Sequence, residues 1–145
     1  MMAPATHPLS QEVTAFVEEF GLLISEAGLP RSVGRVLGFL MICIPKQQTA
    51  EDLQSCLQLS AGTVSTALTL LQKMGLVQRV SVTGERKLYY QQDPACWQKL
   101  LESRLRQMDQ GAKLAEKGLA IRAGDNRLLA MRDLYTKLLL AFSEL

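Results

Sequence analysis

Apolar and polar residues follow one another along the first part of the chain at the spacing of two successive helices. Apolar side chains recur every three or four positions from Leu9 to Ala27, with glutamates between them, which predicts an amphipathic helix. Gly28 and Pro30 are typical of its end. The next segment, from about Arg31 to Ile44, is apolar on most faces, so we expect a central, buried helix that Pro45 ends.

A second pair of helices is predicted next. Thr49 and Asp52 suit the start of a short helix, because a hydroxyl caps free backbone amides and an acid favours the positive helix end. Ser60 is a similar cap for a longer helix that runs to Met74 and ends at Gly75. The buried side of this longer helix is predicted to contain Val64, Ala67, Leu68 and Leu71. Its exposed side presents Gly62, Thr66, Thr69 and Lys73, flanked by Thr63 and Ser65.

The segment VQRVSVTGERKLYYQQ, residues 77–92, predicts a two-stranded hairpin. Apolar and polar residues alternate on both sides of a tip at Thr83–Arg86, where Gly84 permits the turn. From this alternation we expect four side chains to anchor the hairpin on the core. They are Val80, Val82, Leu88 and Tyr90.

Two further helices are predicted in the last third of the chain. Asp93 and Pro94 form a strong helix start, and Gly124 and Asp125 separate this helix from a final one. The apolar residues of both helices recur at spacings of three and four, in narrow seams. Such seams need a partner, so we expect them to pack against a second copy of the chain.

Composition excludes several classes of protein. The longest apolar run, VLGFLMICI, is about half of what a membrane-spanning helix needs. The N-terminus has neither a basic start nor an apolar stretch, so we expect no secretory signal. Three cysteines without a CxxC pair argue against a disulfide framework and a zinc site, and favour a reducing cytoplasm. With one histidine and no glycine-rich phosphate loop, we expect neither an enzyme nor a cofactor.

Charge is distributed unevenly along the chain. Residues 1–30 carry four glutamates and no lysine or arginine, whereas residues 60–92 contain a single acid, Glu85. A local excess of this kind matters more for binding a polyanion than the net charge of the whole chain. The cations of the middle segment are Lys73, Arg79, Arg86 and Lys87.

The order of the middle elements indicates DNA binding. A short helix, a turn, a second capped helix and a hairpin form the layout of a winged helix-turn-helix, in which the second helix enters the major groove. Hydroxyl side chains can bond phosphates and bases, and cations neutralise phosphates. We therefore predict that double-stranded DNA is bound by a recognition helix at about 60–74, including Lys73, and by a wing at about 77–91, including Arg86 and Lys87.

These residues also carry a family resemblance. The segments LSAGTVSTALTLLQKMGLV and GERKLYY resemble the recognition helix and wing of MarR-type transcriptional regulators, most closely those of the GbsR-like subgroup, over about residues 9–95. The resemblance implies a homodimer that responds to a ligand or to stress, as a repressor or activator on a pseudo-palindromic operator. The subgroup is linked to osmotic stress and to choline–glycine betaine genes. By position, the resemblance implies DNA contacts from Ser60, Thr63, Ser65, Thr66, Thr69 and Arg86.

The predicted fold class is mainly α with a small β-hairpin (α+β). In this fold, a winged helix-turn-helix is flanked by N- and C-terminal dimerisation helices. The expected parts are an N-terminal arm and dimerisation helix (1–29), the winged helix-turn-helix (30–92) and two C-terminal dimerisation helices (93–145).

Four aromatic residues are candidates for the wall of an effector pocket. Aromatic faces suit quaternary ammonium ligands, but aromatic residues at helical spacing also build ordinary cores, and the pattern leaves both interpretations open. The four residues are Phe16, Phe20, Phe39 and Trp97.

Two other functions fit the same pattern. A winged helix can serve as a protein-interaction module that does not bind DNA. Alternatively, the chain is a redox-sensing regulator, because Cys96 lies in the first predicted turn of a helix, where the helix dipole favours a thiolate. Cys43 and Cys56 are placed like small core residues.

Overall fold

The computed structural model describes residues 9–144, which contain six helices and one two-stranded hairpin. The predicted N-terminal arm and the last residue of the final apolar seam, Leu145, lie outside the described residues. The mainly α fold class with a small hairpin is confirmed. The elements are α1 (Gln11–Glu26), α2 (Arg31–Ile42), α3 (Ala50–Leu57), α4 (Ala61–Lys73), β1 (Val77–Val80), β2 (Tyr89–Gln92), α5 (Cys96–Ile121) and α6 (Asn126–Ser143).

The chain forms two compact units, one up to Trp97 and one from Gln98 onward. In the first unit, α2 is the central helix and packs against α1, α4 and β2. No helix in the described part of the chain is both long enough and apolar enough to cross a membrane.

Helix α2 is buried along most of its length, as its apolar sequence predicts. It ends at Ile42, two residues before the predicted end, and Cys43 is already extended. A residue that precedes proline is disfavoured in helical conformation, so the helix cannot continue through Ile44 to Pro45. Ile44 is 92% exposed as a result of this early end.

Helices α1 and α2 cross at close range because glycines remove side chains from the contact. A methyl group on Gly34 would lie 2.9 Å from the Cα atom of Gly21 and 2.7 Å from the Cβ atom of Ile24. One turn further, the ring of Phe20 covers Gly38 in the same way. The backbones are therefore in contact at Gly21 and Gly34, and any larger residue would separate the two helices.

Helices α3 and α4 begin where the sequence predicts. Thr49 and Asp52 form a capping box, in which each side chain accepts a hydrogen bond from the backbone amide of the other residue. Gln58 then turns the chain in the left-handed conformation, and Ser60 caps α4 by accepting from the amide of Thr63. The predicted buried side of α4 is confirmed, with Val64, Ala67, Leu68 and Leu71 in the core.

The hairpin is shorter than predicted, and its buried side differs. Val77 pairs with Gln92 and Val80 with Tyr89 in an antiparallel ladder, and Gln48 adds an isolated bridge to Tyr90. The buried anchors are Val77 and Tyr89, together with Leu76 just before β1. The predicted set of anchors was wrong, because its members are half-buried or, in the case of Leu88, 50% exposed. That set is Val80, Val82, Leu88 and Tyr90.

The second unit contains the two helices predicted from the final seams. Gly124 adopts a positive φ and Asp125 caps α6 by accepting from the amide of Arg127, which confirms the predicted break. The ring of Tyr135 lies against Gly111 of α5, and one end of Leu128 lies against Gly118. Large side chains of α6 thus pack against glycines of α5.

Gly34→Ala is expected to destabilise the protein by about 1–3 kcal/mol, because the added methyl group overlaps with α1 at a backbone contact. Gly62→Ala is the matched control, since nothing lies within 4 Å of the added methyl group on α4. The control is expected to be neutral or about 0.5 kcal/mol more stable. Urea unfolding followed by circular dichroism measures both, and equal stabilities for the two variants would contradict the close crossing.

Candidate nucleic-acid interface

One side of α4 is a polar surface made of small side chains. The helix buries its apolar side against α2 and β1, and this packing turns its hydroxyl residues outward. Most of the residues predicted to contact DNA from the helix are exposed, and Thr63 is half-buried. The structure brings them together on α4 and its cap: Ser60, Thr63, Ser65, Thr66, Thr69 and Lys73.

The cap of α4 joins two hydroxyls and leaves one proton of the pair free to donate. Ser60 Oγ accepts from the backbone amide of Thr63 at 3.1 Å, and the hydroxyls of Ser60 and Thr63 share a hydrogen bond of 2.8 Å. The pair therefore uses one of its two hydroxyl protons within the protein. The other proton of the pair stays available and can be donated to a phosphate oxygen.

The remaining hydroxyls of α4 differ in the same respect. Thr69 Oγ1 donates to the carbonyl of Ser65 at 2.9 Å, so this hydroxyl offers only lone pairs outward. The hydroxyls of Ser65 and Thr66 make no hydrogen bond to another residue in the described part of the chain. Donors on this surface are thus Ser65, Thr66 and one hydroxyl of the Ser60–Thr63 pair, together with the ammonium group of Lys73.

The tip of the hairpin is cationic and open to solvent. Gly84 adopts a positive φ of 82°, and the amide of Glu85 donates to the carbonyl of Val82 at 2.9 Å, which closes the turn. Arg86 and Lys87 follow and are both exposed, and neither forms an ion pair within residues 9–144. Their charges are available to an external anion.

The helix and the hairpin are held in one unit. After α4, Gly75 takes a positive φ and the amide of Leu76 donates to the carbonyl of Leu71 at 2.9 Å. The amide of Asp93, just after β2, donates to the carbonyl of Leu76 at 2.9 Å. The start and the end of the hairpin are therefore both fixed next to the end of α4.

Three of the four aromatic candidates for an effector pocket lie together. The rings of Phe16 and Phe20 are 5.7 Å apart, and those of Phe20 and Trp97 are 6.2 Å apart, both pairs tilted. Phe16 and Trp97 are partly exposed, whereas Phe39 is buried in the core. The cluster places aromatic rings at the surface of the first unit.

An ion-pair cluster between α1 and α2 was not predicted from the sequence. Glu18 binds Arg31 and Arg35, and these three residues and Ser32 line an open depression of about 400 Å³. The signal that points to it is the spacing of two arginines four residues apart, which places both on the side of α2 that faces α1.

None of the three cysteines forms a disulfide bond in the described part of the chain, and the three differ in their surroundings. Burial raises the pKa of the Cys43 thiol to about 11, and burial also raises the pKa of Cys56. Cys96 is completely buried, and its Sγ atom accepts from the side-chain amide of Gln92 at 3.2 Å. Among residues 9–144, no group of three histidine, cysteine or acidic side chains is placed to hold a metal ion.

Comparisons with known proteins agree on one family. Residues 27–87 match the model of the MarR family. The chain is 34% identical over 129 residues to the HTH-type transcriptional regulator MmpR5 of Mycobacterium tuberculosis, covering 85% of this chain and 78% of that protein. It is also similar to a crystal structure of a transcriptional regulator, with a TM-score of 0.74 and 32% identity, over 92% of this chain and 94% of that chain.

Cys43 is expected to react with iodoacetamide at pH 8 about 100-fold more slowly in the folded protein than in urea. A pKa near 11 lowers the thiolate fraction by about that factor relative to an ordinary cysteine. Peptide mass spectrometry after timed alkylation measures the rate at each cysteine. Equal rates for Cys43 in the folded and unfolded protein would contradict the protonated, buried thiol.

Proposed function

The chain belongs to the MarR family of winged-helix transcriptional regulators, and we propose that it binds double-stranded DNA as a homodimer on a pseudo-palindromic operator. The single observation that carries this proposal is the polar side of α4 beside an unpaired cationic tip, in a segment with only one acid. In this proposal α4 is the recognition helix and the β1–β2 hairpin is the wing.

The residues of α4 have different roles in the proposed complex. Ser65, Thr66 and one hydroxyl of the Ser60–Thr63 pair donate to phosphates or base edges, because their protons are free, and Lys73 pairs with a phosphate. Thr69, whose proton is already used, contributes its methyl group to contacts with thymine. The exposed side carries no arginine, asparagine or glutamine, the usual bidentate readers of bases. Sequence choice therefore relies in part on DNA shape.

The wing supplies most of the electrostatic attraction in the proposed complex. Arg86 enters the minor groove or contacts the adjacent backbone, and Lys87 supports it at the phosphates. Each phosphate contact releases counterions, so binding weakens steeply as salt increases.

Exposed apolar side chains on both units support the homodimer. On α1, Leu22 and Leu23 are 50% and 59% exposed. The second unit exposes Leu114 and Ile121 on α5 and Leu134 and Leu140 on α6. Apolar patches of this kind mark interfaces between proteins, and a two-fold dimer presents two recognition helices to one duplex.

The finer assignments extend the proposal. We place the chain in the GbsR-like subgroup on the strength of its recognition-helix and wing segments, with a cytoplasmic location in which its three thiols stay reduced. We also propose that Phe16, Phe20 and Trp97 form one wall of an effector site, which suits a cationic ligand.

Two alternatives predict different behaviour. A protein-interaction module would show flat or absent binding to duplex DNA at low salt. A redox sensor that uses Cys96 would lose its oxidant response in Cys96→Ser. The complete burial of Cys96 disfavours the redox alternative, since an oxidant must reach the sulfur atom.

Arg86→Ala combined with Lys87→Ala is expected to weaken binding to a 30-base-pair random duplex at least about tenfold at 50 mM salt. The slope of log K against log salt concentration is expected to decrease by the equivalent of about two phosphate contacts. Fluorescence anisotropy over a salt series measures both quantities. Lys117→Ala combined with Lys137→Ala is the control, because it removes the same charge from exposed positions on α5 and α6. Equal losses of affinity in the two double variants would contradict the proposal that the hairpin binds DNA as a wing.

Leu134→Glu is expected to shift the protein from dimer to monomer in sedimentation velocity, because it places a charge in the proposed apolar interface. Thr136→Glu, two residues along α6 and exposed, is the control and should remain dimeric. A wild-type protein that sediments as a monomer at micromolar concentration would refute the homodimer.

A further inference from the structure

One arginine side chain connects three helices of the first unit. The Nε atom of Arg35, on α2, donates to Glu18 Oε1 of α1 at 2.9 Å. Its Nη2 atom donates to the backbone carbonyl of Leu57, the last residue of α3, at 3.0 Å. The guanidinium group therefore uses two sides of its planar fork at once, which an ammonium group cannot do with the same geometry.

The close crossing of α1 and α2 determines the path of this side chain. A methyl group on Gly21 would lie 2.9 Å from the Cγ atom of Arg35 and 3.1 Å from that of Arg31. The stems of both arginines thus lie over the glycine, and both head groups meet Glu18. The side chain of Arg35 is only 23% exposed, compared with 52% for that of Arg31, which makes it the more constrained of the two.

The acceptor on α3 is a group that needs a donor. The last carbonyls of a helix have no partner within the helix, and they carry the negative end of its dipole. Arg35 supplies both a hydrogen bond and a positive charge to the carbonyl of Leu57. The link matters because α2 and α3 otherwise share little contact, and because only Gln58, Leu59 and Ser60 separate Leu57 from α4.

We infer that Arg35 is a positioning residue for DNA binding. Glu18 of α1 holds the side chain of Arg35, which fixes the end of α3. Through the turn that follows α3, Arg35 also fixes the placement of the recognition helix α4. The inference rests on the proposed function, because placement of α4 affects function only if α4 binds DNA. The inference also implies that α1 contributes to DNA binding, although no residue of α1 is proposed to contact DNA.

The first test exchanges each arginine for lysine, which leaves the charge unchanged. Arg35→Lys is expected to weaken binding to a 30-base-pair random duplex about fivefold to tenfold, since lysine cannot hold both acceptors. Arg31→Lys is the matched control, because Arg31 binds the same glutamate and its head group makes no bond to α3 in the described structure. Equal affinities for the two variants would overturn the inference.

The second test removes the glutamate and separates positioning from electrostatics. Glu18→Ala and Glu19→Ala each remove one negative charge from adjacent positions of α1, and electrostatics alone would strengthen binding to DNA in both. We expect Glu18→Ala to bind at least about threefold more weakly than wild type, and Glu19→Ala to bind as tightly or more tightly. Binding by Glu18→Ala that matches the control would overturn the inference.

Hydrogen–deuterium exchange distinguishes failure of this inference from failure of the proposed function, because it needs no DNA. Amides in residues 57–63 are expected to exchange at least about fivefold faster in Glu18→Ala and Arg35→Lys than in their controls. Equal exchange rates would overturn the inference in a protein that still binds DNA. Faster exchange in a protein that fails to bind any duplex would support the link from Glu18 and Arg35 to the end of α3, and it would refute DNA binding.

Discussion

The packing of the first unit depends on the burial of α2. This helix is apolar on nearly every face, so it is stable only when other elements cover it, and α1, α4 and β2 do so. Covering α2 requires the apolar side of α4, which leaves the hydroxyl side of α4 as surface. The glycines of the α1–α2 crossing let the covering helix approach to backbone contact. One buried helix thus decides which residues the protein presents to DNA in the proposed complex.

The sequence predicted α4 well because local chemistry and burial agree there. Ser60 is a strong cap, the apolar positions follow a helical period, and Gly75 ends the element, so no distant contact changes the outcome. The hairpin was harder to predict, because its strands have four residues each and period-two alternation over so few positions does not fix which side is buried. The bridge from Gln48 to Tyr90 and the burial of Tyr89 are tertiary features that the alternation does not contain.

Parts of the candidate site depend on contacts that a sequence does not display. The hydroxyls of Thr63 and Thr69 look alike in the sequence, yet Thr63 shares a hydrogen bond with the hydroxyl of Ser60, and Thr69 donates to a backbone carbonyl. The bond from Arg35 to Leu57 joins residues 22 positions apart and follows from the crossing of α1 and α2. The polar residues of α4 are therefore not equivalent, because their hydroxyls differ in the hydrogen bonds that they can still donate. In our inference, the placement of α4 also depends on α1, α2 and α3.

Selection of bound sequences from a random duplex pool tests the central claim, that two copies of α4 bind one duplex, most directly. The account predicts an enriched pseudo-palindrome whose half-sites are centred about one helical turn apart, roughly 34 Å, or a multiple of that distance. It also predicts modest base preference within each half-site, because the exposed side of α4 lacks bidentate readers. A pool that shows no enrichment, or enrichment of a single asymmetric site, would contradict the account.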